Sequence, residues 1–316
     1  PFFLFFSFTT STITLSIILI SDRKMDQKDS FHSAETDPKY DCVLFDVDDT
    51  LYPFSSGLAV ECRKNIEEYM HQKLGIEESK IEELCTQLYK IYGTTMAGLR
   101  AIGYDFDYDD FHSFVHGRLP YNRRLKPDPV LRSILLSLPL RKVIFTNSNE
   151  AHAAEVLKVL GLEGCFESII CFETLNPTYS SDKGDCKAGD LETTPITTPF
   201  DIMGYGSQPN AETVLPKTPI LCKPSEAAFE RALEIANINP KRTVFFDDSV
   251  RNIQSGKLIG LHTVLVGTSQ RIKGADYALE SIHNITEALP ELWGVDGNSG
   301  KVLYPGKVAI EATVTA

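Results

Sequence analysis

The apolar run Cys42-Val43-Leu44-Phe45 stops against Asp46-Val47-Asp48-Asp49-Thr50, and that junction constrains the fold more than any other part of the chain. A run this short and apolar throughout reads as a strand buried on both faces. Side chains alternate along a strand, so Asp46 and Asp48 emerge on one side of its carboxyl edge. Open α/β sheets bind their ligands at that edge. Two carboxylates converging there repel each other unless a cation lies between them, and their hard oxygens suit Mg²⁺. The competing reading is a strand that simply runs into an Asp-rich turn.

β-rich runs recur at 142–146, 168–172, 243–247 and 263–267, each closing on polar residues, and helical periodicity appears at 150–160, 225–236 and 249–259. Apolar strands alternating with helices predict an α/β fold: a Rossmann-like, doubly wound parallel sheet with right-handed crossovers. Two stretches break the alternation. Residues 54–127 carry helical patterns at 59–74, 80–91 and 109–115 with few strand signals, which predicts an inserted helical cap, and 129–138 rejoins the core. Residues 176–218 are rich in Thr, Pro, Gly, Ser and Asp and have almost no hydrophobic periodicity, so they read as a flexible insertion. The expected organisation is therefore a catalytic core at 41–53 and 128–290, a helical cap at 54–127, and a tail at 291–316.

Residues 1–20 are apolar and rich in hydroxyls, but no basic residue precedes them and the first Met is Met25. Residues 1–40 are accordingly read as an extension outside the fold, with 1–24 lying upstream of the true start. A signal or anchor segment at 1–20 is the alternative. The net charge of −12 excludes a general binder of nucleic-acid polymers. Seven scattered cysteines without a Cys-x-x-Cys pair fit buried thiols in a reducing compartment. The cytoplasm, alone or with the nucleus, is the expected location, with no membrane partner.

The remaining strand ends carry Thr146-Asn147-Ser148 and Asp247-Asp248-Ser249, and Lys223-Pro224 opens a helix. A doubly wound sheet gathers these ends into one place. Several acids with one lysine make an expensive structural cluster and a sensible Mg²⁺-dependent phosphate site. Singly, each has a plain explanation: Thr146 as a strand-end residue, Lys223-Pro224 as a helix entry, Asp247-Asp248-Ser249 as an N-cap cluster. Asp49 is expected to point away from its neighbours' face.

With these motifs in this order, the chain resembles the haloacid dehalogenase (HAD)-like hydrolase superfamily, over roughly residues 41–290. The resemblance implies a capped Rossmann-like core in which Asp46 is the nucleophile that forms an aspartyl-phosphate. Asp48 would be the general acid and then the base. Asp46, the Asp48 carbonyl, Asp247 and Asp248 would hold Mg²⁺. Thr146 and the Asn147 backbone would bind phosphate, and Lys223 would clamp nucleophile and phosphoryl oxygens. Residues 43–52, 92–99, 247–252 and 260–267 are similar to the pyrimidine 5′-nucleotidase branch, especially its plant suppressor-of-disruption-type HAD proteins. That implies a small phosphorylated metabolite, a nucleoside 5′-monophosphate such as UMP or CMP, as substrate. Thr94, Thr95, Arg100 and Tyr121 are candidates for contacting its leaving group, packing being the other explanation. Alternatives are a phosphatase of a sugar phosphate or phosphoglycolate, a phosphomutase, and a non-catalytic phospho-ligand-binding protein.

Overall fold

The computed structural model describes residues 39–177, 200, 202 and 214–294. The readings of the N-terminal extension, of most of the 176–218 insertion and of the C-terminal tail beyond 294 lie outside the described residues. Among those described, no helix is long and apolar enough to cross a membrane.

Six parallel strands form one sheet: β1 (Cys42–Phe45), β2 (Arg141–Phe145), β3 (Ser168–Ile170), β4 (Thr243–Asp247), β5 (His262–Val266) and β6 (Tyr277–Leu279), in the order β3-β2-β1-β4-β5-β6. β1 pairs with β2 on one side (Phe45↔Ile144) and with β4 on the other (Phe45↔Phe246). The winding direction therefore reverses beside β1, and the crevice at the carboxyl ends of β1 and β4 is the switch point where such sheets bind ligands. Alternation along β1 divides its side chains between two cores. Val43 and Phe45 join Leu131, Leu135, Val156 and Leu160 on one face, whereas Cys42 and Leu44 join Ala228, Phe229, Ala232 and Ile253 on the other. Burial on both faces explains the uninterrupted apolar runs.

β1 ends with the apolar run because the chain soon turns: the amides of Thr50 and Leu51 both bond the Val47 carbonyl, at 3.4 and 3.0 Å. β6 was not expected, being only three residues long. The 291–316 tail also begins later than expected, since Leu292 is buried and the Trp293 indole N–H bonds the Ser137 hydroxyl at 3.0 Å.

Between β1 and β2 lie α1 (Leu58–Gln72), α2 (Glu78–Tyr92), α3 (Thr95–Ala101), α4 (Tyr108–Val115), α5 (Tyr121–Arg124) and α6 (Pro129–Ser137). The first four share a core of their own around Tyr69, Met70, Leu88, Leu99 and Phe111. α3 was missed in the sequence because all but Arg100 of its seven residues are buried, which leaves no polar face to reveal a helical period. Ile202, inside the stretch expected to be flexible, is 1% exposed in that same core, and Phe200 donates to the Ile102 carbonyl at 2.9 Å. The stretch is also bracketed at its base. The Asn176 amide donates to the Leu221 carbonyl at 3.1 Å and accepts from the Leu221 N–H at 2.8 Å.

Between β2 and β6 the sheet is flanked by α7 (Glu150–Leu160), α8 (Phe172–Leu175), α9 (Glu226–Ala236) and α10 (Val250–Ile259). Arg251 of α10 reaches the end of α2, bonding the Tyr89 and Lys90 carbonyls at 2.9 and 2.6 Å. The Lys90 carbonyl is among those a helix end leaves without an intrahelical partner, while that of Tyr89 also accepts from the Gly93 N–H at 3.1 Å. Beside them Gly93 has φ +92, and a Cβ there would stand 2.2 Å from the Lys223 carbonyl oxygen. Gly93→Ala is therefore expected to lower the urea midpoint by an amount worth about 1–3 kcal/mol with an unchanged m-value. A midpoint equal to wild type would show that this junction parts freely.

Candidate active site

The carboxyl ends of β1 and β4 are adjacent in register, and the Asp46 N–H bonds the Phe246 carbonyl at 2.9 Å. Asp46 and Asp247 are thereby fixed side by side. Lys223 fills the space between them. Its Nζ donates to Asp46 Oδ1, Asp247 Oδ2 and the Phe145 carbonyl, each at 2.7 Å, and the residue is 1% exposed. An ammonium has three hydrogens, and all three are used. In this arrangement Lys223 clamps Asp46, as the resemblance implies for the nucleophile, together with Asp247.

Asn147, expected to offer its backbone to phosphate, has a further role through its side chain. Its side chain brackets the Lys223 backbone, donating to the carbonyl at 2.9 Å and accepting from the N–H at 2.8 Å. The remaining oxygens of the acids are occupied too. Thr50 donates to Asp46 Oδ2 at 3.3 Å, and Asp247 Oδ1 accepts from the Ser249 N–H at 2.8 Å and the Asn252 amide at 3.0 Å. Thr146 accepts from the Ser148 N–H at 3.1 Å, which leaves its hydroxyl hydrogen for the neighbouring Ser148 oxygen, 2.7 Å away, or for a ligand.

One carboxylate oxygen each from Asp46, Asp247 and Asp248 lie within 4.8 Å of one another. Burial raises Asp46 most; the Lys223 ammonium pulls it back and the charges of Asp247 and Asp48 add to the rise, leaving it at about 7. Asp248 keeps surface open to water while sitting deep in the cleft, and that burial, then Asp247 and Asp46, push it up to about 9. Three carboxylates against one ammonium are short of positive charge. An all-oxygen donor set this compact fits a hard divalent cation such as Mg²⁺, whose charge would pull both carboxyls back down.

Asp48 has different surroundings. Its Oδ1 accepts from the Tyr52 hydroxyl at 2.6 Å and meets His152 Nε2 at 2.6 Å. Burial alone would raise this carboxyl, but His152, the Tyr52 hydrogen bond and His116 hold it well below the usual carboxylate range. Neither Tyr52 nor His152 stood out in the sequence; a histidine on the first turns of a helix gives no hint of the strand end it faces. Asp49, expected to point away, lines the same cavity. It takes the left-handed conformation (φ +57) that Asp tolerates, and its Oδ1 is buried with no hydrogen-bond partner among the described residues.

A cavity of about 540 Å³ runs from these groups to the helical segment, where Thr94, Thr95, Met96, Phe111 and His112 line it. Thr94 caps α3 by accepting from the Ala97 N–H at 3.1 Å, and Thr95 is buried against Cys85. Arg100 and Tyr121 are not among the lining residues. Arg100 pairs with Asp105 and packs over Phe106 and Tyr108. The Tyr121 hydroxyl donates to the His116 carbonyl at 3.0 Å and lies 2.8 Å from His152 Nδ1.

Residues 220–292, which carry Lys223, Asp247 and Asp248, match the HAD-hydrolase-like family. Phosphate metabolism protein 8 of Saccharomyces cerevisiae is 30% identical over 142 residues, 43% of this chain and 44% of that protein. The chain thus spans less than half the length of the curated relative it matches. Among solved structures, the HAD-hydrolase YfnB of Bacillus subtilis bound to magnesium superposes over 81% of this chain and 100% of its own, at 17% identity and a TM-score of 0.46. CbbY of Rhodobacter sphaeroides in complex with phosphate covers 80% of this chain and 99% of its own, at 16% identity and a TM-score of 0.46.

The charge shortage makes a signed prediction. Asp46 and Asp248 bind protons more tightly folded than unfolded, so in EDTA stability falls as pH rises from about 4 towards 9. At pH 8 in EDTA, Asp248→Asn should raise the thermal midpoint, and it should shrink the rise that Mg²⁺ gives the wild type. A lower midpoint in EDTA together with an undiminished Mg²⁺ response would remove Asp248 from the site.

Proposed function

We propose that the chain is a HAD-like hydrolase, a Mg²⁺-dependent phosphomonoesterase acting through an aspartyl-phosphate, with a nucleoside 5′-monophosphate as its substrate. The observation that carries the reading is the buried Lys223 clamp joining Asp46 to Asp247, with a second acid, Asp48, two residues beyond the first at the mouth of a common cavity. The family match over 220–292 supports it, and so does a relative whose name places it in phosphate metabolism.

Lys223 holds Asp46 Oδ1 at 2.7 Å, whereas Thr50 holds Oδ2 only at 3.3 Å, so Oδ2 is the oxygen assigned the attack. The bond from Oδ2 to phosphorus forms as the bond from phosphorus to the ester oxygen breaks, and Asp48 delivers a proton to that departing oxygen. In the second half Asp48 takes a proton from water, which attacks phosphorus and frees Asp46. Thr146 donates its hydroxyl to a phosphoryl oxygen. Asp46, Asp247, Asp248 and the Asp48 carbonyl would hold Mg²⁺, which would supply positive charge to offset that gathering on the phosphoryl group.

The nucleoside specificity rests on the outer cavity. Met96, Phe111, Val115 and Leu119 give it apolar walls suited to a flat base, and His112, which burial pushes down to about 4, is neutral there. A strongly anionic leaving group would find few cations among these walls.

Phosphate release from a panel of phosphorylated metabolites, including UMP, CMP, sugar phosphates and phosphoglycolate, tests the reading. Mg²⁺-dependent release from the pyrimidine nucleotides is expected to be fastest. Asp46→Asn should lower it by on the order of 10³-fold or more while leaving the thermal midpoint near wild type. Near-normal turnover by that variant would remove Asp46 as nucleophile, and a clear preference for sugar phosphates would replace the nucleotide assignment.

A further inference from the structure

Asp48 must do more than be present: one of its oxygens has to face the departing ester oxygen while the other is kept out of the way. Both hydrogen bonds to this carboxylate end on Oδ1, from the Tyr52 hydroxyl and His152 Nε2, and no described residue hydrogen-bonds Oδ2. His152 is itself fixed from behind. The Tyr121 hydroxyl has one hydrogen, and its contact with the His116 carbonyl, which can only accept, uses it. The 2.8 Å contact between the Tyr121 oxygen and His152 Nδ1 must then take its hydrogen from the imidazole. Nδ1–H is thereby directed at Tyr121, and because the Asp48 carboxylate can only accept from Nε2, both ring nitrogens act as donors, as in the charged imidazole. His152 is 3% exposed, and its ring packs against those of His116 and Tyr121, at centroid distances of 4.4 and 5.6 Å. An imidazole enclosed in this way has no second orientation to adopt.

From this geometry we propose that His152 is a positioning residue for the general acid: with Tyr52 it ties down Oδ1 so that Oδ2 is the oxygen presented to the leaving group, and Tyr121 sets the orientation of His152. The proposal rests on the phosphatase reading above and adds to it a residue outside the motif resemblance. It also ties the acid to the helical segment, because Tyr121 and His116 flank the turn that leaves α4.

The expected signature separates positioning from mere structural support. An alkoxide is a poor leaving group and needs its proton, whereas p-nitrophenolate departs without one. The quantity to compare is kcat/KM, which reports events up to the first irreversible step and so excludes hydrolysis of the phosphoenzyme, where Asp48 also acts. His152→Leu should lower kcat/KM for UMP, or for the best alkyl phosphate of the panel, by roughly 10–10²-fold, part of the 10²–10⁴-fold that acid–base help supplies. For p-nitrophenyl phosphate the same variant should lose less than about threefold. His152→Gln, whose amide can still donate to Oδ1, should recover most of the alkyl-phosphate rate, and Tyr121→Phe should show the same selective loss in weaker form.

Equal losses on both substrates, no loss on either, or a glutamine variant as poor as the leucine one would each overturn the proposal. Thermal midpoints of all three variants identify a simple folding defect, and Tyr121→Phe, which removes a single oxygen, keeps the test decisive should His152→Leu fail to fold. A wild-type protein inactive on every phosphate ester would instead sink the phosphatase reading, and this inference with it.

Discussion

The buried ammonium of Lys223 is the constraint on which the rest of the site depends. A lysine held at 1% exposure without partners would cost several kcal/mol, and two carboxylates as close as Asp46 and Asp247 would repel each other. Together each makes the others tolerable: Lys223 is held well above its ordinary pKa, since the attraction of Asp247 and Asp46 outweighs the lowering effect of its burial. Three chain segments meet in these bonds, namely the ends of β1 and β4 and the loop before α9. The Asn147 bracket adds a fourth, from the end of β2. The sheet order is what makes this possible, because only neighbours of β1 can bring an acid and an asparagine to within reach of the same lysine.

Most of this was legible in the sequence because it rests on strand ends. Continuous apolar runs announced strands covered on both faces, and a polar residue at the end of each marked the crevice. Asp46, Asp48, Thr146, Lys223, Asp247 and Asp248 could be gathered into one place with no coordinates at all. What stayed hidden depends on side-chain direction and on buried helices. α3 shows no amphipathic period because nearly all of it is inside. Asp49 was assigned to the wrong side because strand alternation was extended into a turn where φ becomes positive. Arg100 and Tyr121 were picked as polar residues of the helical segment, and nothing in their spacing told that their polar atoms are engaged elsewhere.

Two acids two residues apart are thus placed in contrasting environments. Asp46 is paired with an ammonium and crowded by like charges, whereas Asp48 faces a hydroxyl and an imidazole. The two carboxyls are pushed in opposite directions, Asp46 up and Asp48 down; a cation among Asp46, Asp247 and Asp248 would reverse the first shift, and Asp48 has to take up a proton before it can hand one to a leaving group. The difference arises from the turn after β1, which takes Asp48 away from β4 and towards α7.

The bracket formed by Asn176 and Leu221 has an implication for how such a chain can change over time. Because the amide pins the polypeptide where it leaves α8 to where it returns just ahead of Lys223, the lysine's position is insulated from the number of residues threaded in between. Lengthening a tethered segment is cheap, about 0.6 kcal/mol per doubling. A lineage can therefore change the length of this stretch, so long as Phe200 and Ile202 keep their places against the helical core, without disturbing the chemistry one step downstream.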